Sequence, residues 1–342
     1  MKSDLNHSAM LHAEATVIDA RDPTHLMYGS TKNPKPEYLG ILQSGGVTAV
    51  VVDAAWVDDD FGTAAKAVAS WHRRVAAMNN RARIIYSADD IRAARTLNQV
   101  GFILSFQSPS PVENELDLID MWERLGIRVM ELTYQTRNLV GDGCTERTDC
   151  GLSRFGEKLV RRLNECGIVV DLSHAGDLTA MEGAQISTQP VILSHTNARA
   201  LCDSPRNATD ELLTKVAQGG GVIGVSAYSA IVAPGGGETG TTLAQYLDQV
   251  DYIVELVGHE HVGVGLDVGE LRSPAELALL HGLVAGVGVP PKNRYVEELK
   301  TRTQVGQITA GLLDRGYDDA VIKGILGENF LRVFGQVWRK PA

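Results

Sequence analysis

The chain has 342 residues, 44% of them hydrophobic, and a formal net charge of −10. That length supplies a larger core than the roughly 250 residues of a typical α/β barrel need, and the negative balance with no Lys/Arg block argues against a nucleic-acid backbone or an anionic membrane surface as partner. Cys144, Cys150, Cys166 and Cys202 show no C-x-x-C spacing and are expected as reduced thiols. With no signal-peptide core at the start and no apolar run near about 18 residues, a soluble cytoplasmic protein is expected.

In chain order, β-rich apolar runs alternate with amphipathic helical segments, the pattern of a parallel sheet with helices on its faces. The runs are Thr16–Asp19, Val47–Asp53, Gly101–Gln107, Ile127–Thr133, Ile168–Ser173, Pro190–Ser194, Gly221–Ala227 and His261–Leu266. Between the second and third lies a helix over Phe61–Asn79, with Phe61, Ala64, Val68, Trp71 and Val75 on one face. A shorter piece, Ile84–Tyr86, follows it with a helix of its own and reads as an insertion. The glycines at 219–221 and 235–237 lack a strand-to-helix G-x-G-x-x-G context and read as turns. After the eighth run, helices are expected over Tyr295–Leu313, Asp318–Leu326 and Glu328–Val337, broken at Gly316 and Gly327.

Eight parallel strands predict one (β/α)8 TIM barrel over residues 1–342, with its site at the C-terminal strand ends. Those ends carry Asp19 with Arg21, Asp53, Gln107, Tyr134, His174, His195, Tyr228 and Asp267, a polar rim on apolar strands. His174 and His195 end successive runs in the same Ser-His pair. Neighbouring parallel strands stand about 5 Å apart, so both imidazoles are expected on one rim as metal ligands or acid-base groups. The plainer readings are that the histidines cap the following helices, that Arg206-Asn207 opens the next helix, and that Asp267 is a helix cap.

The segments L-T-Y-Q-T-R-N-L-V-G-D-G-C-T-E, G-L-S-R-F-G, G-I-V-V-D-L-S-H, V-I-L-S-H-T-N-A-R-A-L-C-D-S-P-R-N and H-V-G-V-G-L-D resemble the renal (membrane) dipeptidase family of zinc metallopeptidases, continuously over about Gly101–Gly269. The resemblance implies an amidohydrolase-type barrel with two zinc ions in its mouth, and a homodimer. It implies His174 and His195 as ligands of the second metal, Arg206 with Asn207 as the substrate-carboxylate site, and Asp267 for proton transfer. Three departures stand out. Arg21 and Pro23 replace the His-x-Asp pair of the first metal, Gln107 replaces the bridging glutamate, and Tyr134 replaces a histidine that contacts the scissile group. Arginine cannot be deprotonated to ligate a metal, so the first site is expected to be lost, unless a slipped register brings Asp22 to it. One divalent metal, zinc, or none is then expected, with a carboxylate such as Asp267 as third ligand.

Three functions compete. The first is a metal-assisted hydrolase of a small dipeptide-like or N-acyl amino acid amide, in which Arg21, Tyr134 and Gln107 face the scissile group. The second is an isomerase, tautomerase or lyase moving protons on a small carboxylate through Tyr134, His174, His195 and Asp267. The third is a non-catalytic binding protein keeping Arg206.

Overall fold

In a computed structural model the structure describes residues 2–23, 37–269 and 293–339. Nine strands appear among them: β1 (Ile18–Asp22), β2 (Ala49–Asp53), β3 (Ala82–Ile84), β4 (Val100–Phe106), β5 (Ile127–Glu131), β6 (Val169–Asp171), β7 (Ile192–Thr196), β8 (Val222–Val225) and β9 (Val262–Val264). All pairings are parallel. β2 pairs β4 directly, and β1 pairs both β2 and β9, the latter through Asp19 and Val264, so eight strands close a ring. β3 pairs only the start of β4 and lies outside the ring, as expected of the insertion. The architecture is therefore the (β/α)8 barrel read from the sequence, with several strands shorter than their apolar runs.

Alternation along each strand sorts the residues into two layers. Outward residues such as Val50, Phe102, Met130, Val170 and Leu193 pack under the helices. Inward residues Ala49, Val51, Ile103, Val129, Val169, Ile192 and Val222 fill the lumen. The lumen's N-terminal end is packed by Phe330, Phe334 and Trp338, the first two from the helix Asn329–Val337. One step further along the same inward rows, the side chains become Asp53, Glu131, Asp171 and Ser194, all buried. Gly224 and Gly265 flank Ser194, and a Cβ at either would sit 2.0 or 1.8 Å from the Ser194 carbonyl oxygen, so only glycine allows this approach.

The helices carry the caps their sequences suggest. Asp60 caps Phe61–Ala76, and Ser153 caps Arg154–Cys166, which ends on Gly167 in the left-handed region. The predicted helix Tyr295–Leu313 is a correction: it is regular only over Gly306–Asp314, preceded by two short 3-10 turns. Arg302, in the second of these turns, runs inward to Asp19 and to the carbonyls of Arg21 and Val268, which a continuous surface helix could not allow. Pairing with a buried carboxylate outweighs helical propensity here. No helix among the described residues is long and apolar enough to cross a membrane.

Candidate metal and substrate site

His195 lies inside β7 and His174 three residues past β6, and their Nε2 atoms meet at 2.9 Å. Both rings are buried. Burial, then the charges of Arg206 and Arg21, hold both imidazoles well below the usual histidine pKa, so both are neutral. The Asp171 carboxylate accepts the backbone N–H groups of Ser173 and Ser194 at 3.0 Å each, tying the two strand ends together. His195 Nδ1 lies 2.7 Å from Ser194 Oγ, itself 3.3 Å from Ser173 Oγ. A chain in which His195 Nδ1–H donates to Ser194 and Ser194 to Ser173 leaves the Nε2 lone pair facing His174, the tautomer a metal ligand needs. His174 takes a left-handed backbone, φ 65°, and Asp267 does so too, φ 58°. Two non-glycine residues in this region at one rim mark backbone held in place by its surroundings.

Among the described residues, ligand atoms of Glu131, Asp171 and His195 lie within 4.8 Å of one another. Neither His174 nor Asp267 is in that group, which adds Glu131 and Asp171 to the candidate ligands beside His195. The sequence reading missed both because it ran β5 to Thr133 and β6 to Ser173, making them strand interior. The available signal was a lone acid on the inward phase of an apolar run. Both Glu131 oxygens are buried without a hydrogen-bond partner, as are Gln107 Oε1 and His174 Nδ1. Burial first, then Asp171, push the Glu131 carboxyl well above its ordinary pKa, against the pull of Arg21.

These residues fit a divalent cation. Two nitrogens sharing a tetrahedral zinc at about 2.0–2.1 Å stand about 3.3 Å apart, near the separation seen, and unpartnered buried acceptors are the atoms a cation would satisfy.

Arg21 reaches the same cluster. It is 1% exposed, hydrogen-bonds Asp53 at the end of β2, and stands 3.5 Å from Glu131 across the lumen. Burial opposes its charge, but Asp53 and Glu131 outweigh burial and raise its pKa. The Asp22 carboxylate takes the Tyr38 hydroxyl and lies 3.6 Å from Arg302. Tyr134 stacks on His174, ring centroids 4.3 Å apart, and burial raises its pKa.

Arg206 does not open a helix; the next one starts at Asp210, capped by Thr209. One Arg206 nitrogen donates to the His195 carbonyl at 2.7 Å, and its charge reaches Glu131, Tyr134 and both imidazoles. Asn207 gives its amide N–H groups to the Cys202 and Ile231 carbonyls, while its Oδ1 is buried without a hydrogen-bond partner. Asp267 donates its N–H to the Arg21 carbonyl and acts electrostatically on Arg21, Tyr134 and Tyr228.

An uncharacterized protein in the pqqA 5' region of Klebsiella pneumoniae is 28% identical over 267 residues, covering 76% of this chain and 90% of its own. Dipeptidase 3 of Mus musculus is 27% identical over 271 residues, 78% of this chain, which spans half of that protein's length. The crystal structure of an amidohydrolase from Pseudomonas aeruginosa superposes with a TM-score of 0.87 at 27% identity, over 97% of this chain and 99% of that one. The family model for membrane dipeptidase (peptidase family M19) matches residues 39–278, and the chain belongs to that family.

Proposed function

We propose that the protein is a hydrolase of the dipeptidase type with a reduced metal centre, one divalent cation, zinc, cleaving a small amide that carries a free carboxylate. The observation that carries this reading is the meeting of two neutral imidazoles at 2.9 Å near the buried carboxylate of Glu131, whose oxygens accept no hydrogen bond and whose charge faces the Arg21 guanidinium at 3.5 Å. His174 and His195, with Glu131 and Asp171, would hold the cation. When bound, it lowers the pKa of a coordinated water toward about 7.

The remaining steps fall to the chain's own side chains. Arg206 receives the substrate carboxylate through guanidinium N–H groups not spent on the His195 carbonyl. Tyr134, its phenol protonated, donates toward the scissile carbonyl oxygen, and Arg21 adds a fixed positive charge as that oxygen becomes anionic. Asp267 takes the proton of the attacking water and returns it to the leaving nitrogen. Gln107 Oε1 accepts from a substrate N–H.

A second reading has one specific observation in its favour. The 2.9 Å between the imidazoles is also an N–H···N hydrogen-bond distance, so without a cation the pair could pass a proton between Tyr134 and a small carboxylate, as an isomerase, tautomerase or lyase requires. Elemental analysis of protein purified without chelators separates the two. The hydrolase reading expects about one zinc-like ion per chain, removed by chelation with loss of activity. Metal-free protein that still turns over substrate would overturn it.

A further inference from the structure

Arg294 takes no part in the chemistry above, yet it is set into the rim as a ligand-binding group would be. The backbone at 294–296 runs antiparallel beside the segment that follows β8: Ser229 donates to the Arg294 carbonyl at 2.9 Å, Val296 to the Ala227 carbonyl at 3.0 Å, and Tyr228 bridges Tyr295. The guanidinium lies against two phenol rings, 5.7 Å from each of the Tyr228 and Tyr295 centroids. Tyr295 is anchored in turn, its hydroxyl accepting the Gly269 N–H at 3.0 Å.

No carboxylate among the described residues answers it. Arg294 makes no ion pair with a described residue, and its Nε and Nη1 atoms are buried without a hydrogen-bond partner. Ring faces attract a cation but do not replace hydrogen bonds to its N–H groups. A positive group laid against two aromatic rings, half-buried and without an anion among the described residues, is arranged for an anion that arrives from outside. Its location says where that anion belongs. Arg294, Arg206 and Asp267 all act electrostatically on the one phenol of Tyr228, so Arg294 borders the space in which the proposed substrate lies, on the β8 side. The Tyr228 hydroxyl stands within the same group and can donate to the same anion.

We propose that Arg294, presented by Tyr228 and Tyr295, is a second acid-binding residue, and that the substrate is a dianion: an amide with one carboxylate on Arg206 and a further acid group on Arg294. This rests on the hydrolase reading for the amide but not for the two acid groups, which binding alone can test. N-acetyl-L-glutamate and N-acetyl-L-glutamine are isosteric amides that differ by one negative charge. Titration calorimetry on the purified, metal-loaded full chain should find the glutamate compound bound about tenfold more tightly, the scale of one charge-assisted contact. In Arg294→Gln the ratio of the two affinities should fall to about one, and Arg294→Lys, which keeps the charge without the planar fork, should recover part of it. Equal affinities in the wild type, or a ratio that survives Arg294→Gln, overturns the proposal. Loss of the hydrolase reading would show separately, as absence of turnover with the affinity ratio intact. Should Arg294→Gln fail to fold, Arg294→Lys and Tyr295→Phe carry the test. The lysine variant must lower the ratio, whereas Tyr295→Phe keeps the ring face and must preserve it.

Discussion

A guanidinium fixed between Asp53 and Glu131 carries a positive charge that no physiological pH removes. Arg21 thereby supplies the charge of an ion without its capacity to ligate water. Arg21→His, Pro23→Asp and Gln107→Glu together should raise metal content toward about two ions per chain and increase dipeptide turnover; metal content unchanged from wild type would refute the account of Arg21. The same pair predicts a pH effect. Burial outweighs Arg21 and raises the Asp53 carboxyl from 3.8 to about 6. A group with a raised folded pKa contributes stability that is fully present below its unfolded pKa and is lost as pH rises through the folded one. Relative to Asp53→Asn, wild type should therefore lose about 2–3 kcal/mol of unfolding free energy between pH 4 and pH 7. Denaturant titrations of both proteins across that range check it, and parallel profiles would refute it. His174, His195, Arg21 and Gln107 were legible in the sequence because they stand at strand ends, where polarity contrasts with the run before. Glu131 and Asp171 were not, because only strand register, set by pairing across the ring, decides that they face inward.

At the scale of elements, the sequence showed which segments are strands and helices but not where a helix gives way to a tertiary contact. Tyr295–Leu313 has helical periodicity throughout, yet its first part is bent into short turns so that Arg302 can reach Asp19 at 2.7 Å and Asp22 at 3.6 Å. Arg302 is fully buried and also donates to the Arg21 carbonyl, so it sets the height of the strand bearing Arg21. Arg302→Met should cost about 3–5 kcal/mol by removing the buried cation that Asp19 and Asp22 share. Urea denaturation measures this, and a shift below about 1 kcal/mol would show that Asp19 and Asp22 find other partners or take up protons. Because Arg302 also bonds the Arg21 backbone, a survivor of this substitution should lose metal affinity as well as stability.

For the molecule as a whole, eight alternating units were enough to read the barrel, since few arrangements bury strands that are apolar on both faces. What the pattern could not show is how the N-terminal end of the lumen is packed. Phe330 and Phe334 stack with centroids 5.8 Å apart, Phe334 and Trp338 at 4.3 Å, and Trp338 donates to the Arg128 carbonyl, 210 residues earlier in the chain. That packing sets an order of events during synthesis. β1 gains its second neighbour only when β9 exists, Asp19 gains its cation 283 residues after it is made, and the lumen's apolar lower layer is covered only after residue 330 has appeared. Until then the nascent chain exposes strand edges and aliphatic surface together, a state with slow non-local closure and a tendency to associate. A chain stopped after Gly327 should accumulate in the insoluble fraction although every strand is present, and pulse-labelled protein should become protease-resistant only after the segment carrying Phe330, Phe334 and Trp338 has left the ribosome.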